Sequence, residues 1–159
     1  MEKQNRVLAV ETEQDVASIT LRSLPCGHNA DASIFEAFSD AGISVDTILK
    51  NIPIDGSWDL TVTVDKRDYD SALQVAQAVV ETLGGGSIDS NKALAKVSIV
   101  GTGMQNAPGY EARMFQALAD AGINIHLITT SEIQITCIIA EHQMNQAVRS
   151  LHDVFAINT

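Results

Sequence analysis

Hydrophobic and polar positions along this chain change rhythm repeatedly, from the alternation of a strand to the three-to-four spacing of a helix and back. "RVLAVETE" near the start is strand-like, and "ASITLRSL" is a short β-branched run that also reads as a strand. In "ADASIFEAFSDAG" the apolar residues Ile34, Phe35, Phe38 and Ala41 recur at helical spacing, and Gly42 supplies a C-terminal stop. "ISVDTILKNI" and "WDLTVTVD" read as strands. In the latter, Leu60, Val62 and Val64 alternate with Thr61 and Thr63, and "PIDGS" between the two carries hairpin-turn residues. "DYDSALQVAQAVVETLGGG" then predicts a helix with Leu73, Ala76, Val79, Val80 and Leu83 inward, ended by its glycines.

The order strand, helix, strand, strand, helix then occurs again, as "KVSIVG", "GYEARMFQALADAG", "INIHLITT", "IQITCIIAE" and "QMNQAVRSLHDVF". This is an internal repeat. Set from Ala17 over Val97, the two stretches align without a gap at an offset of about 80 residues, a spacing that suits duplicated small domains. Ser18 meets Ser98, Phe35 meets Phe115, and Asp40-Ala41-Gly42-Ile43 meets Asp120-Ala121-Gly122-Ile123. A βαββα unit with one more strand is the ferredoxin-like split βαβ arrangement. The first copy has its extra strand in "GSIDSNKA". The second copy has none after its last helix, whereas "RVLAVETE" belongs to no repeat and is free to complete it. The expected fold class is therefore α+β, two ferredoxin-like βαββαβ units with the first inserted into the second. The first is expected over 15–93, and the second over 1–14 plus 94–159. Each unit buries one sheet face under two helices, and the other face needs cover where it is apolar, so a dimer is expected.

Composition narrows the partners. Hydrophobic residues are 45% of the chain, enough for a packed core, while aromatics are only 4%, so that core is built from Val, Ile, Leu and Ala. The formal net charge of −10 repels phosphate backbones and anionic lipid headgroups, which argues against nucleic acid and membrane as partners. The apolar runs are too short to span a bilayer, and "MEKQNRVLAVE" has no signal-peptide core, which points to the cytoplasm. Two cysteines, Cys26 and Cys137, are too few for a disulfide framework, and Cys137 sits in an apolar strand as a small hydrophobe. The four histidines lack metal-ligand spacing, so neither a metal nor another cofactor is expected.

The stretch most open to chemistry is "KVSIVGTGMQNAPGYEARMF". Gly101 and Gly103 match the first two positions of a dinucleotide fingerprint, but Asn106 stands at the third, and Pro108-Gly109 intervenes before the helix. A dinucleotide is the poorer reading. Glycines allow close approach, and exposed N–H groups at a helix start, with the positive end of its dipole, suit a small carboxylate such as that of an amino acid. On loop chemistry alone a second reading stays open, that Pro108 and Gly109 only shape the turn.

The residues resemble the tandem ACT-domain regulatory region of aspartate kinase over nearly the whole chain. The strongest piece is the second copy, with "KVSIVGTGM", the "PG" before the helix, "MFQALADAGINI", "ITTSEIQI" and "AVRSLHDVF"; "ITLRSLP" and "ILKNI" in the first copy are looser matches. The resemblance implies a sensor without a cofactor. In that family ACT units of two chains pair side by side, and threonine or lysine binds between the first unit of one chain and the second unit of the other. It also implies the site residues. Asn124 and Ile125 match the pair whose backbone holds the effector's amino and carboxyl groups, Thr130 and Ser131 match its polar pair, and Met104, Pro108 and Gly109 match its loop. The first copy departs from the pattern. Cys26-Gly27-His28-Asn29 stands where Asp-Lys-Pro-Gly is usual, Lys50 replaces the glutamine before Asn51, and Glu111 replaces a small residue in the second copy's helix. Lys50 reads as a partner for a carboxylate and Glu111 as one for an ammonium, or both as solvated surface charges.

The lysines stand away from any glycine-rich loop of the kind used in phosphoryl transfer, and no Ser-His-Asp or Cys-His pairing stands out, so the chain reads as non-catalytic by itself. The reading is a regulatory region of aspartate kinase, as a separate small subunit or part of a longer kinase. Its implied partners are a small amino acid, a like chain, a catalytic subunit, or both chains. Two alternatives are a tandem ACT regulator of another partner and an assembly module with a decayed effector site.

Overall fold

The computed structural model describes residues 6–27, 29–52, 55–104 and 108–156. The strands are β1 (Arg6–Leu24), β2 (Ile48–Asn51), β3 (Trp58–Asp65), β4 (Ser87–Thr102), β5 (Ile125–Thr130) and β6 (Gln134–Ala140). The helices are α1 (Ala30–Asp40), α2 (Tyr69–Leu83), α3 (Tyr110–Asp120) and α4 (Met144–Phe155). The chain divides into two compact units, Asp15–Lys92, and Met1–Gln14 together with Ala93–Thr159. Strands β1 and β4 each run through both.

In the unit of Asp15–Lys92 the strand order is β2-β3-β1-β4. β3 lies antiparallel to both neighbours, with Ile19 opposite Val62 on one side and Ile48 opposite Val62 on the other. The ladder with β1 slips between Leu21 and Leu24. There Ser23 takes a positive φ of 54°, and its N–H donates to Asp59 Oδ1 at 2.8 Å. Helices α1 and α2 close one face over Ile19, Leu21, Leu60, Val62, Ile34, Phe38 and Ala76. The expected inward residues are placed with two differences. Phe35, Leu73, Val80 and Leu83 are half-buried against this core, and Ala41 is exposed because it caps α1 one position past its last turn. Of the expected β2–β3 turn, 53–54 lie outside the described residues. Asp55 Oδ1 accepts from the Ser57 N–H at 3.1 Å and its hydroxyl at 2.7 Å.

The other unit has the order β1-β4-β6-β5. β6 pairs antiparallel with β4, placing Val97 opposite Cys137, and with β5, placing Thr130 opposite Ile135. Its core gathers Val97, Ile99, Met114, Leu118, Ile135, Cys137 and Leu151, with Val7 and Val10 of β1 packed against it. The N-terminal strand therefore supplies this unit's fourth strand. Ser98 and Thr136, opposite each other and buried, share a hydroxyl hydrogen bond of 2.7 Å. Each unit is thus a four-stranded sheet under two helices in ferredoxin-like order.

The repeat is visible in the hydrogen bonds. Past α1, Gly42 N–H donates to Ser39 O and Ile43 N–H to Phe38 O; past α3, Gly122 donates to Ala119 O and Ile123 to Leu118 O. Both helices end in a Schellman motif, which needs a left-handed residue, and Gly42 and Gly122 each have φ 73°. No helix among the described residues is long and apolar enough to cross a membrane.

Candidate functional site

Each unit builds the same strand–loop–helix corner. In the unit with α3, chain leaving β4 turns at Gly103 and enters the helix at Gly109, its N-cap, with φ 109°. In the unit with α1, the equivalent N-cap is Asn29. Neither cap gives a side-chain hydrogen bond to the first turn; at α1 the first N–H, that of Ala30, donates to Gly27 O at 3.4 Å instead. Asp31 and Glu111 are the acidic residues of the two first turns.

The expected residues of the α3 unit fall into two groups. Pro108, Gly109 and Glu111 lie at the end of the sheet where β4 and β5 finish, as do Thr130, which closes β5, and Ser131, whose N–H donates to Gln134 O at 2.8 Å. Met104 is there too, but its side chain is buried in the core, so it presents backbone only. Asn124 and Ile125 lie at the opposite end, where β5 begins. At about 3.3 Å per residue, the strand separates Ile125 from Thr130 by about 17 Å. One small ligand does not touch both groups within a single unit.

In the α1 unit, Gly27 is exposed in the loop before the helix, and His28 lies outside the described residues. Lys50 and Asn51 sit on β2, all four residues of which are exposed. Lys50 is engaged. Its Nζ is 2.7 Å from Asp31 Oδ2 and 4.5 Å from the centre of the Trp58 ring. The carboxylate that meets Lys50 is thus the chain's own. Trp58 packs at the strand start, its Nε1 donating to Pro25 O at 3.0 Å. Cys26 Sγ contacts Gly56 O across the same corner.

Two residues not expected from the sequence belong beside these. Ser44 and Val45 line a cavity of about 420 Å³ with Phe35, Phe38, Ser39 and Ile48. They are the repeat partners of Asn124 and Ile125, so the alignment of the two copies carried the signal. Among the described residues no group of three or more His, Cys, Asp and Glu side chains is arranged to hold a metal.

The two ferredoxin-like units are of the kind found in ACT-domain proteins, and the ACT domain family matches residues 97–155. The chain is 36% identical to a chain in a structure of aspartokinase alpha and beta subunits, covering 95% of this chain and 99% of that one, with a TM-score of 0.87. It is 34% identical to the ligand-free regulatory subunit of aspartate kinase from Thermus thermophilus, covering 94% and 99%, with a TM-score of 0.86. Aspartate kinase Ask_LysC of Stutzerimonas stutzeri is 38% identical over 152 residues, which are 96% of this chain and 37% of that protein. The chain belongs to the family of aspartate kinase regulatory regions, and it spans less than two fifths of the curated kinases it matches.

Proposed function

We propose that the chain is an amino-acid sensor, which binds an end product of aspartate-derived biosynthesis, threonine or lysine, and transmits that binding as feedback inhibition of an aspartate kinase in the cytoplasm. One observation carries this reading. At the start of α3 the N-cap Gly109 offers no side chain to the N–H groups of Glu111 and Ala112, and among the described residues Glu111 takes part in no hydrogen bond or ion pair. Donors for a carboxylate and an acceptor for an ammonium stand together, which is the complementarity a free amino acid requires.

Asn124, Ile125, Thr130 and Ser131 complete a site in which two chains meet, and Gly27, His28, Asn29, Lys50 and Asn51 belong to the corner of the α1 unit that faces the partner chain. The 17 Å division within one unit supports a ligand held between chains rather than inside one. The exposed edge strand β2, with Ile48 54% and Leu49 50% accessible, offers the surface for side-by-side pairing with a like chain, and a catalytic subunit is the further partner. The effector needs only about 1–3 kcal/mol of coupling to change kinase activity several-fold to a hundredfold.

A melting-temperature scan of the purified chain against the common amino acids tests the reading. Threonine or lysine is expected to raise the midpoint in a concentration-dependent way, reaching about 2.7 kcal/mol of stabilisation at a hundred times the dissociation constant. A folded chain whose midpoint responds to neither removes the feedback-sensor reading.

A further inference from the structure

The two units put equivalent helix starts to different use. Asp31 of α1 and Glu111 of α3 hold the same place in the repeat, and Lys50 near the end of β2 answers to Thr130 at the end of β5. In the α1 unit the lysine closes a small constellation, with its Nζ 2.7 Å from Asp31 Oδ2 and 4.5 Å over the Trp58 indole. A carboxylate wall beside an aromatic face is the chemistry that recognises a primary ammonium. The face is held in place, because Trp58 is 4% exposed and its Nε1 is committed to Pro25 O. In the α3 unit Thr130 brings no charge, and Glu111 has no partner among the described residues.

We propose that Asp31 and Trp58 form an ammonium-binding cradle that this chain fills with its own Lys50. A ligand carrying a primary ammonium, such as a free amino acid, is then shut out of the α1 unit's helix start and directed to that of the α3 unit. The inference deepens the sensor reading and rests on it for its regulatory meaning, although the cradle itself stands on geometry alone. Lys50 and Asp31 are 38% and 47% exposed, so the pair itself is weak. Occupancy is secured by tethering, since a side chain fixed beside its site acts at a high effective concentration against a dissolved competitor. For the same reason removing Lys50 leaves the fold intact and the cradle empty.

Trp58 is the chain's one tryptophan, so its emission reports this corner directly. The experiment is a fluorescence titration of the full chain with ethylammonium chloride, against sodium chloride at matched ionic strength, in wild type, Lys50→Ala, and Lys50→Ala with Asp31→Asn. Lys50→Gln is titrated in parallel, with circular dichroism as the check of folding. The wild type is expected not to respond, the Lys50 variants to respond saturably, and the double variant to lose that response. Folded Lys50 variants that fail to respond, or a response that survives Asp31→Asn or appears equally in wild type, overturn the proposal. If the Lys50 variants ignore ethylammonium while threonine or lysine still raises the wild-type melting point, the cradle alone falls. If they respond while neither amino acid is bound by wild type, the sensor reading alone falls.

Discussion

Gly109 and Gly86 share a left-handed backbone, with φ 109° and 112°, yet a side chain would meet very different surroundings at the two positions. A Cβ on Gly109 meets none of the described residues within 4 Å, whereas one on Gly86 would stand 3.0 Å from Arg22 O and 3.1 Å from Leu24 Cδ2. Gly109→Ala therefore pays backbone strain alone, about 1–2 kcal/mol, and Gly86→Ala adds a clash with main chain. Denaturant unfolding of the two variants should rank Gly86→Ala as the more destabilised, and the reverse order would contradict the geometry. Cys137 makes a pH prediction. Burial pushes its thiol up to about 12 from an ordinary 9.0. The folded state then keeps the proton that the unfolded state gives up, so stability is full below about 9 and falls as pH rises from there toward 12. A native-state thiol assay near neutral pH is expected to label the exposed Cys26 and to reach Cys137 only on unfolding. Prompt labelling of both would show the strand to be open. At this scale the sequence names residue types but not their partners. Lys50 stood out as a departure from the family pattern, yet its contact with Asp31 crosses 19 residues of chain and depends on how α1 packs beside β2. Spacing along the chain does not encode that.

Elements were legible where apolar side chains are periodic. The four helices begin and end within a few residues of the pattern, because glycine and helical spacing act locally. The apolar pattern breaks two strands into pieces. The polar run Glu11–Asp15 interrupts the apolar alternation, but β1 continues through it, since backbone pairing does not require buried side chains there. β4 likewise joins "GSIDSNKA" to "KVSIVG". β2 is shorter than "ISVDTILKNI" implies. Thr63 Oγ1 takes the Thr47 N–H at 3.0 Å, and a side-chain hydroxyl acting as acceptor competes with the regular ladder. The exposed edge that remains carries the proposal of side-by-side pairing. Leu49→Lys is expected to change monomer stability by no more than about 0.5 kcal/mol, because Leu49 is exposed in the single chain. The same change is expected to shift sedimentation equilibrium toward monomer. An unaltered dimer in that variant would place the pairing elsewhere.

At the scale of the whole molecule, the duplication was the most informative feature of the sequence. It gave two ferredoxin-like units and left one strand over at the N-terminus, which the α3 unit needed and β1 supplies. The repeat also marks Ser44 and Val45 as counterparts of Asn124 and Ile125. The candidate site was less legible, because the proposed placing of a ligand between chains draws on residues that no single sequence brings together. Asn124–Ile125 and Thr130–Ser131 lie at opposite ends of β5, and nothing in their spacing says which belongs with which residue of a partner. A sensor of this kind must bind an amino acid. Titration calorimetry with threonine and with lysine decides this most directly, run on the wild type and on Glu111→Gln. The account predicts saturable heat with one of the two ligands in wild type and a marked weakening in the variant. No saturable heat from either ligand, in a chain that is folded, would contradict it.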